Sequence, residues 1–341
     1  MHMADALVSP AVGGTMWAVS AGIIGYCASR VKKNMDDRLV PLMGVMGAFI
    51  FTAQMINFAI PATGSSGHLG GGLLLAILLG PYAAFIVLSS VLIVQALFFA
   101  DGGLLAFGCN IFNLGVFPCL LAYPLIYKPL VRDHSSKNMI FAGALISSVV
   151  GLQLGSLGVV METALSGVSD LPVQTFLLFM QPIHLAIGIV EGLATASVVL
   201  FVHTSRPEIL RSTAGEKPLG ELSMKKVLAG FFIAALLTGG IFSWFASSQP
   251  DGLEWSVFKT AGTVELGHES PPGLHGTLED FQDKTSLLPD YGFRVQQEES
   301  PESTWKGIDP ATSISGFVGG TLTLLIAIMA GLLLKRIRVR P

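Results

Sequence analysis

From Leu39 to Ala100 the chain carries no Asp, Glu, Lys or Arg. That is not the composition of a water-soluble domain, in which about 25% of residues are charged. Such a run has to be shared among segments buried in lipid. The remainder agrees: 51% of the 341 residues are hydrophobic and 13% charged, and the 39 glycines suit close helix packing in a membrane. Since about 20 residues cross a bilayer core, spans are expected at 6–29, 39–60, 82–100, 104–127, 138–161, 173–203, 227–247 and 313–334. One further segment differs. Residues 73–80 end at Pro81 and reach only about 12 Å as a helix, against a core of roughly 30 Å. They predict a half-span helix, preceded by a Gly-rich loop (61–72) that dips into the membrane. Irregular backbone at that depth persists only where it is packed in protein or lines a cavity. The expected fold is an all-α polytopic membrane protein of nine helices.

Charge sets the sides. Of the 20 Lys and Arg residues, 16 fall in segments that a single alternating topology places together, and the positive-inside rule assigns those segments to the cytoplasm. The N-terminus is then outside and the C-terminus inside. The chain divides into a seven-helix unit (1–203), a polar cytoplasmic linker (204–226) and two helices (227–341) bracketing an extracytoplasmic loop (248–312). That loop holds 12 acidic residues against 4 basic ones. A net charge of −3 on a chain of this size carries no nucleic-acid signal. Cys27, Cys109 and Cys119 lie in apolar stretches without a C-x-x-C pattern and read as small core residues. The first basic residue is Arg30, so the start lacks the Lys/Arg-rich head of a secretory signal peptide and is expected to be retained.

A retained start matters because of its first two residues. Met1-His2 offers three nitrogens in a row: the α-amine, the His2 amide and the imidazole Nδ1. These close two fused chelate rings in a plane, which suits Ni(II) or Cu(II). The same dipeptide equally reads as an ordinary frayed terminus. The set leaves one planar position, and His68, inside the charge-free run on the same outer side, is the candidate fourth ligand. A polar group at membrane depth is a functional hypothesis by default. Asp5 either accepts the second ring N–H of His2, as carboxylates behind metal-bound histidines do, or caps the first helix. Gln54 and Asn57, three apart on one helix face, are expected to hydrogen-bond the inserted N-terminal segment. Asp101, Asn110 and Asn113 either join them or act as helix-packing glue, with glue the favoured reading. His184 and Glu191, two helical turns apart, share a face. They read as a packing or coupling pair, or as a second metal stop on a pathway inward. No G-x-x-x-x-G-K-[ST] loop and no His-Glu-x-x-His pattern occurs, so neither ATP hydrolysis nor an intramembrane metalloprotease is supported.

Several stretches together carry a resemblance: Met-His-Met-Ala-Asp-Ala-Leu-Val-Ser-Pro (1–10), Ala-Gln-Met-Ile-Asn-Phe (53–58), Gly-His-Leu-Gly-Gly (67–71), Phe-Ala-Asp-Gly-Gly-Leu (99–104), Asn-Ile-Phe-Asn-Leu-Gly (110–115) and His-Leu-Ala-Ile-Gly-Ile-Val-Glu-Gly (184–192). With them, residues 1–203 resemble the membrane substrate-capture component of energy-coupling-factor nickel/cobalt transporters. Pro-Asp-Gly-Leu-Glu (250–254) and Leu-Pro-Asp-Tyr (288–291) resemble the small two-helix auxiliary subunit of the same systems, here fused through 204–226. The resemblance implies that the N-terminus tucks into the bundle, that Met1, His2 and His68 hold the ion, and that no organic cofactor is used. It implies as partners a transmembrane coupling protein and ABC-type ATPase subunits, and as location a prokaryotic cytoplasmic membrane. One departure is Asp5-Ala6, where the family has an acid followed by Gly. The His68 loop looks more like the nickel branch than the cobalt one, so Ni(II) is the expected substrate and Co(II) the alternative. From a different class, an intramembrane enzyme would use His184 and Glu191 as its acid/base pair. The acidic outer loop is expected to concentrate divalent cations, with His268 and His275 either transient ligands or plain surface residues.

Overall fold

The structure is a computed structural model, described over residues 2–33, 38–131, 136–213, 224–263, 273–294 and 310–337. The membrane helices are α1 (Pro10–Lys33), α2 (Leu39–Gln54), the short α3 (Gly72–Leu79), α4 (Pro81–Phe99), α5 (Phe107–Leu130), α6 (Lys137–Ser166) and α7 (Val173–Ser205). A short helix α8 (Pro207–Thr213) leaves α7, followed by α9 (Met224–Gly240), two short helices α10 (Gly252–Ala261) and α11 (Leu274–Thr285), and α12 (Pro310–Arg336). Six of these, α1, α4, α5, α6, α7 and α12, are long and apolar enough to cross a membrane. The protein is an all-α polytopic membrane protein, as its composition predicts.

Three boundaries depart from expectation. α2 stops at Gln54 rather than running to 60, because Phe58–Ile60 and Ser65–Gly67 (β1 and β2) pair as an antiparallel hairpin in register Phe58↔Gly67 and Ile60↔Ser65. α6 continues to Ser166, so Glu162 lies buried in a helix instead of in an outer loop. The segments expected to be merely polar contain helices: α8 in the linker, with Ile209 and Leu210 buried, and α10 and α11 in the outer loop. Amphipathic pieces of seven to twelve residues are too short and too charged to stand out from a loop by hydropathy.

Packing explains the central position of α2, α3 and α4. Every residue of α3 is buried, as a half-span helix in a bundle has to be. α2 is enclosed between the bundle and the pair α9/α12, and glycines set the approach. A Cβ on Gly44 would lie 2.5 Å from Ile328, and one on Gly319 would lie 2.0 Å from the Phe51 ring. Gly239 and Gly316 bring the backbones of α9 and α12 together in the same way. Small residues drive such contacts in lipid, where dispersion rather than the hydrophobic effect holds helices together. The two C-terminal helices are therefore built onto the helix that leads into the His68 loop.

Candidate metal centre

Residues 2–8 pack against the bundle. Met3, Leu7 and Val8 are buried, and the backbone of Met3 is clasped from both sides by Asn110: Met3 N donates to Oδ1 at 2.7 Å, and Nδ2 donates to the Met3 carbonyl at 3.2 Å. Gly103 N adds a bond to the same carbonyl at 2.8 Å. The turn Asp101-Gly102-Gly103 has to be this bare. Gly102 has φ +85°, and a Cβ there would press on Asn110 and His2. Asp5 opens a single tight turn (Asp5–Leu7), formed without the glycine usual after that acid. Its carboxylate accepts from Ala106 N at 2.9 Å. It thus satisfies an open backbone donor ahead of α5 and neither touches His2 nor caps α1, which corrects both readings of Asp5.

The carboxylate behind His2 is Asp101. His2 Nδ1 and Asp101 Oδ1 are 2.8 Å apart, and the other oxygen, Oδ2, accepts the Tyr291 hydroxyl at 2.6 Å. Burial alone would raise the Asp101 carboxyl, but the His2 charge and the bonds from His2 and Tyr291 hold it well below the usual carboxylate range. His2 Nε2 is buried with no hydrogen-bond partner among the described residues. Met1 itself lies outside the described residues.

His68 follows the hairpin. Its ring stacks on that of His2, with centroids 5.1 Å apart and planes 13° from parallel. His68 Nδ1 is 3.2 Å from the Leu69 carbonyl. A carbonyl only accepts, so Nδ1 carries the proton and Nε2 presents its lone pair, the arrangement that orients metal-binding histidines. Burial pushes the His68 imidazole down to about 3, so the ring is neutral at physiological pH. Asp251 Oδ2 stands 4.0 Å from His68 Nε2.

The loop after His68 is held by groups the sequence assigns elsewhere. Both oxygens of Glu191 on α7 accept successive backbone amides, Gly70 N at 3.0 Å and Gly71 N at 3.1 Å. Gln54 donates to the Gly70 carbonyl at 2.8 Å and accepts from Gln95, also at 2.8 Å. Gln54 therefore braces the His68 loop rather than the N-terminal segment. Asn57 lies beyond the end of α2, where the three-residue spacing no longer means one face, and its carbonyl accepts from Ser247 N at 2.7 Å. Glu191 and His184 have separate partners, since His184 Nδ1 bonds the Met180 carbonyl at 2.8 Å. They do not form an acid/base pair. Asn110 and Asp101 belong to the N-terminal segment's setting and are not mere glue. Asn113 donates to Glu162 at 2.6 Å, a buried acid whose only sequence signal is its place at the end of an apolar run.

The segment between α9 and α12 closes over this centre, and each residue of its first motif has a physical task. Pro250 gives its carbonyl to Ser66 N at 2.7 Å, extending the hairpin edge. Asp251 caps α10, accepting from Leu253 N and Glu254 N, while Glu254 returns a bond to Asp251 N. Gly252 lies against α7, where a Cβ would meet Ile187 at 2.9 Å and His184 at 3.3 Å; Leu253 is buried. At the second motif, Asp290 and Tyr291 adopt positive φ, turning the Tyr291 ring onto Phe99 with centroids 4.9 Å apart. The open carbonyls at the end of α4, which a helix cannot satisfy itself, are taken by this segment: Leu287 N and Leu288 N bond Phe98, and Gln282 bonds Ala96 and Gly102. His275 Nε2 donates to the Val8 carbonyl at 3.0 Å, so it is a clamp on the N-terminal segment. His268 lies outside the described residues. A cavity of 380 Å³ remains beside His2, lined also by Asp5, Asp101, Asp251, Glu254, His275 and Glu279.

Residues 2–209 match the family model described as "Cobalt uptake substrate-specific transmembrane region" (CbiM), and residues 225–336 match the PDGLE domain. The chain belongs to the CbiM family. A protein of Archaeoglobus fulgidus, named as a fused nickel transport protein (NikMN), is 30% identical over 96% of both chains. Another, from Lactiplantibacillus plantarum and named as a fused nickel transport protein (LarMN), is 32% identical over 86% of this chain and 89% of its own. The crystal structure of a truncated transition metal transporter matches with a TM-score of 0.53 and 31% identity, over 60% of this chain and 99% of that one.

Proposed function

We propose that this chain captures Ni(II) at the outer face of a prokaryotic cytoplasmic membrane and carries it inward as the substrate-specific component of an energy-coupling-factor importer. The ligands are the Met1 amine, the His2 amide and imidazole, and His68 Nε2. The observation that carries the reading is the parallel stacking of the His2 and His68 rings in a buried pocket, where two imidazoles distant in sequence meet beside the carboxylates of Asp101 and Asp251. Asp101 orients the His2 ring, and Asp251 balances the charge of an ion on His68. The unit 1–203 is the capture component and 227–341 its auxiliary unit, joined by 204–226; the N-terminus faces out and the C-terminus in. A transmembrane coupling protein and ABC-type ATPases supply the energy, because the chain holds no nucleotide-binding loop.

Co(II) is the second reading, favoured by the description of the family model. A planar nitrogen set prefers Ni(II) over Co(II), and Cu(II) over both on affinity. The deciding experiment is metal content and absorption of the purified chain, with and without one residue added before Met1. A yellow planar Ni(II) chromophore that the extension and His68→Ala both abolish is the expected result. Ni(II) retained unchanged in the extended chain sinks the terminal chelate.

A further inference from the structure

A groove that shares no residue with the cavity beside His2 has walls from both units of the chain. It lies between the C-terminal half of α7, in the CbiM part, and the N-terminal half of α9, in the PDGLE part. Phe49 of α2 and Ile209 of α8 also line it, and its volume is 530 Å³. Val198, Phe201 and Phe231 make the lining apolar. Phe201 is 70% exposed, and a Cβ on Gly230 would have no atom within 4 Å, so the groove is open along its side. Elsewhere in α9 glycine permits close packing, as at Gly239, where a Cβ would meet Thr52 at 2.8 Å. Gly230 serves no such contact, although glycine is a poor helix former.

The charged groups sit at one end. α7 finishes and α9 begins at the same end of the groove, which places Arg206 and Lys226 at its mouth. Neither side chain has an ion pair or hydrogen bond among the described residues. Lys226 is also in the first turn of α9, where aligned peptide dipoles favour an anion. From Arg206 back to Ser197, and from Lys226 on to Ala234, the walls extend about 12–14 Å at 1.5 Å per residue, close to half of a bilayer core of roughly 30 Å. The groove is therefore one leaflet deep. A free phosphate gains nothing from apolar walls, and a zwitterionic headgroup brings its own cation to a mouth that already has two.

We infer that this groove binds one anionic phospholipid, with an acyl chain seated between α7 and α9 and the phosphate on Arg206 and Lys226, and that the lipid bridges the two units of the chain. Basic pockets between membrane helices are where acidic headgroups bind. Under the orientation proposed above the lipid belongs to the cytoplasmic leaflet, whose surface is anionic. The inference itself depends neither on that orientation nor on the metal site.

The full chain, purified in mild detergent and stripped of lipid by detergent exchange, tests it. It is titrated with phosphatidylglycerol, with phosphatidylcholine of the same acyl chains, or with inorganic phosphate, and read by native mass spectrometry and thermal midpoint. Phosphatidylglycerol is expected to give a one-lipid adduct and to raise the midpoint. Phosphatidylcholine needs about tenfold more for the same occupancy, two basic groups being at stake, and inorganic phosphate does neither. Arg206→Gln combined with Lys226→Gln removes the preference. Gly230→Leu puts a side chain where there is room for it, so it folds as the wild type does, loses the adduct and no longer responds to phosphatidylglycerol. Equal adducts with both lipids in the wild type mean a general lipid coat and overturn the site. So does a preference that survives in the double variant, or an adduct that survives Gly230→Leu. No adduct in the wild type overturns it as well and leaves the groove to protein, either residues 214–223 or another chain.

Discussion

The side chains that meet the two stacked histidines come from distant parts of the chain, and each is set by a bond that leaves one nitrogen of the ring committed. Asp101 shows the pattern most clearly, since one oxygen takes His2 Nδ1 and the other takes the Tyr291 phenol. A hydroxyl on an ionised, buried carboxylate is a charge-assisted bond. Tyr291→Phe keeps the stack on Phe99 while stripping that bond. It is expected to cost about 1–3 kcal/mol, read as a lowered thermal midpoint in detergent, and to leave Asp101 freer to follow His2. If stability and Ni(II) retention both stay at wild-type values, the Tyr291 bond has no part in holding the site. Glu191 plays the matching role under His68: its two oxygens serve two adjacent amides that only glycines can present so closely, with a Cβ on Gly70 at 3.1 Å from the carboxylate.

At the scale of elements, the His68 loop is positioned by a hairpin, a half-span helix and the short helix α10, all too small to be stable alone. The helix α10 is pinned by its capping box, and the capping residue, Asp251, is the one that faces His68. Substitution separates these tasks. Asn caps about as well as Asp, whereas Ala costs about 1 kcal/mol. Asp251→Asn is therefore expected to keep the thermal stability of the chain while Ni(II) affinity drops about tenfold, the usual loss for a partner behind a metal ligand. Asp251→Ala should lose both. Equal affinities in Asp251→Asn and wild type, measured by competition with a chromogenic chelator, would show that the carboxylate serves only the helix.

For the whole molecule, the C-terminal unit is more than a tethered neighbour. α9 and α12 close around α2 through glycine contacts, and residues between them bond the end of α4, the hairpin and the N-terminal segment. An interface built this way persists without a covalent link. Inserting a protease site between residues 214 and 223 and cutting it should leave the two fragments co-purifying in mild detergent, with bound Ni(II) retained. Fragments that separate on cutting would mean that the linker, not the packing, holds the unit in place.

Much of this protein is legible in its sequence because lipid imposes long-range rules on local composition. The charge-free run, the polytopic all-α class and the half-span at 73–80 all follow from residues read in order. Hydropathy could not show where α2 ends, that Glu162 is buried, or that the outer loop carries helices, since a cross-strand pairing and short amphipathic turns leave little mark on composition. Which carboxylate serves which histidine was also out of reach. Asp5, four residues from the terminus, turns away to cap the start of α5, while Asp101 and Asp251 arrive from other elements. His2 and His68 are a feature of the chain; their common setting of Asp101, Tyr291, Glu191 and Asp251 is a feature of the fold. Hydrogen-bond partners are decided by backbone geometry across helices, and that geometry exists only once the bundle has packed.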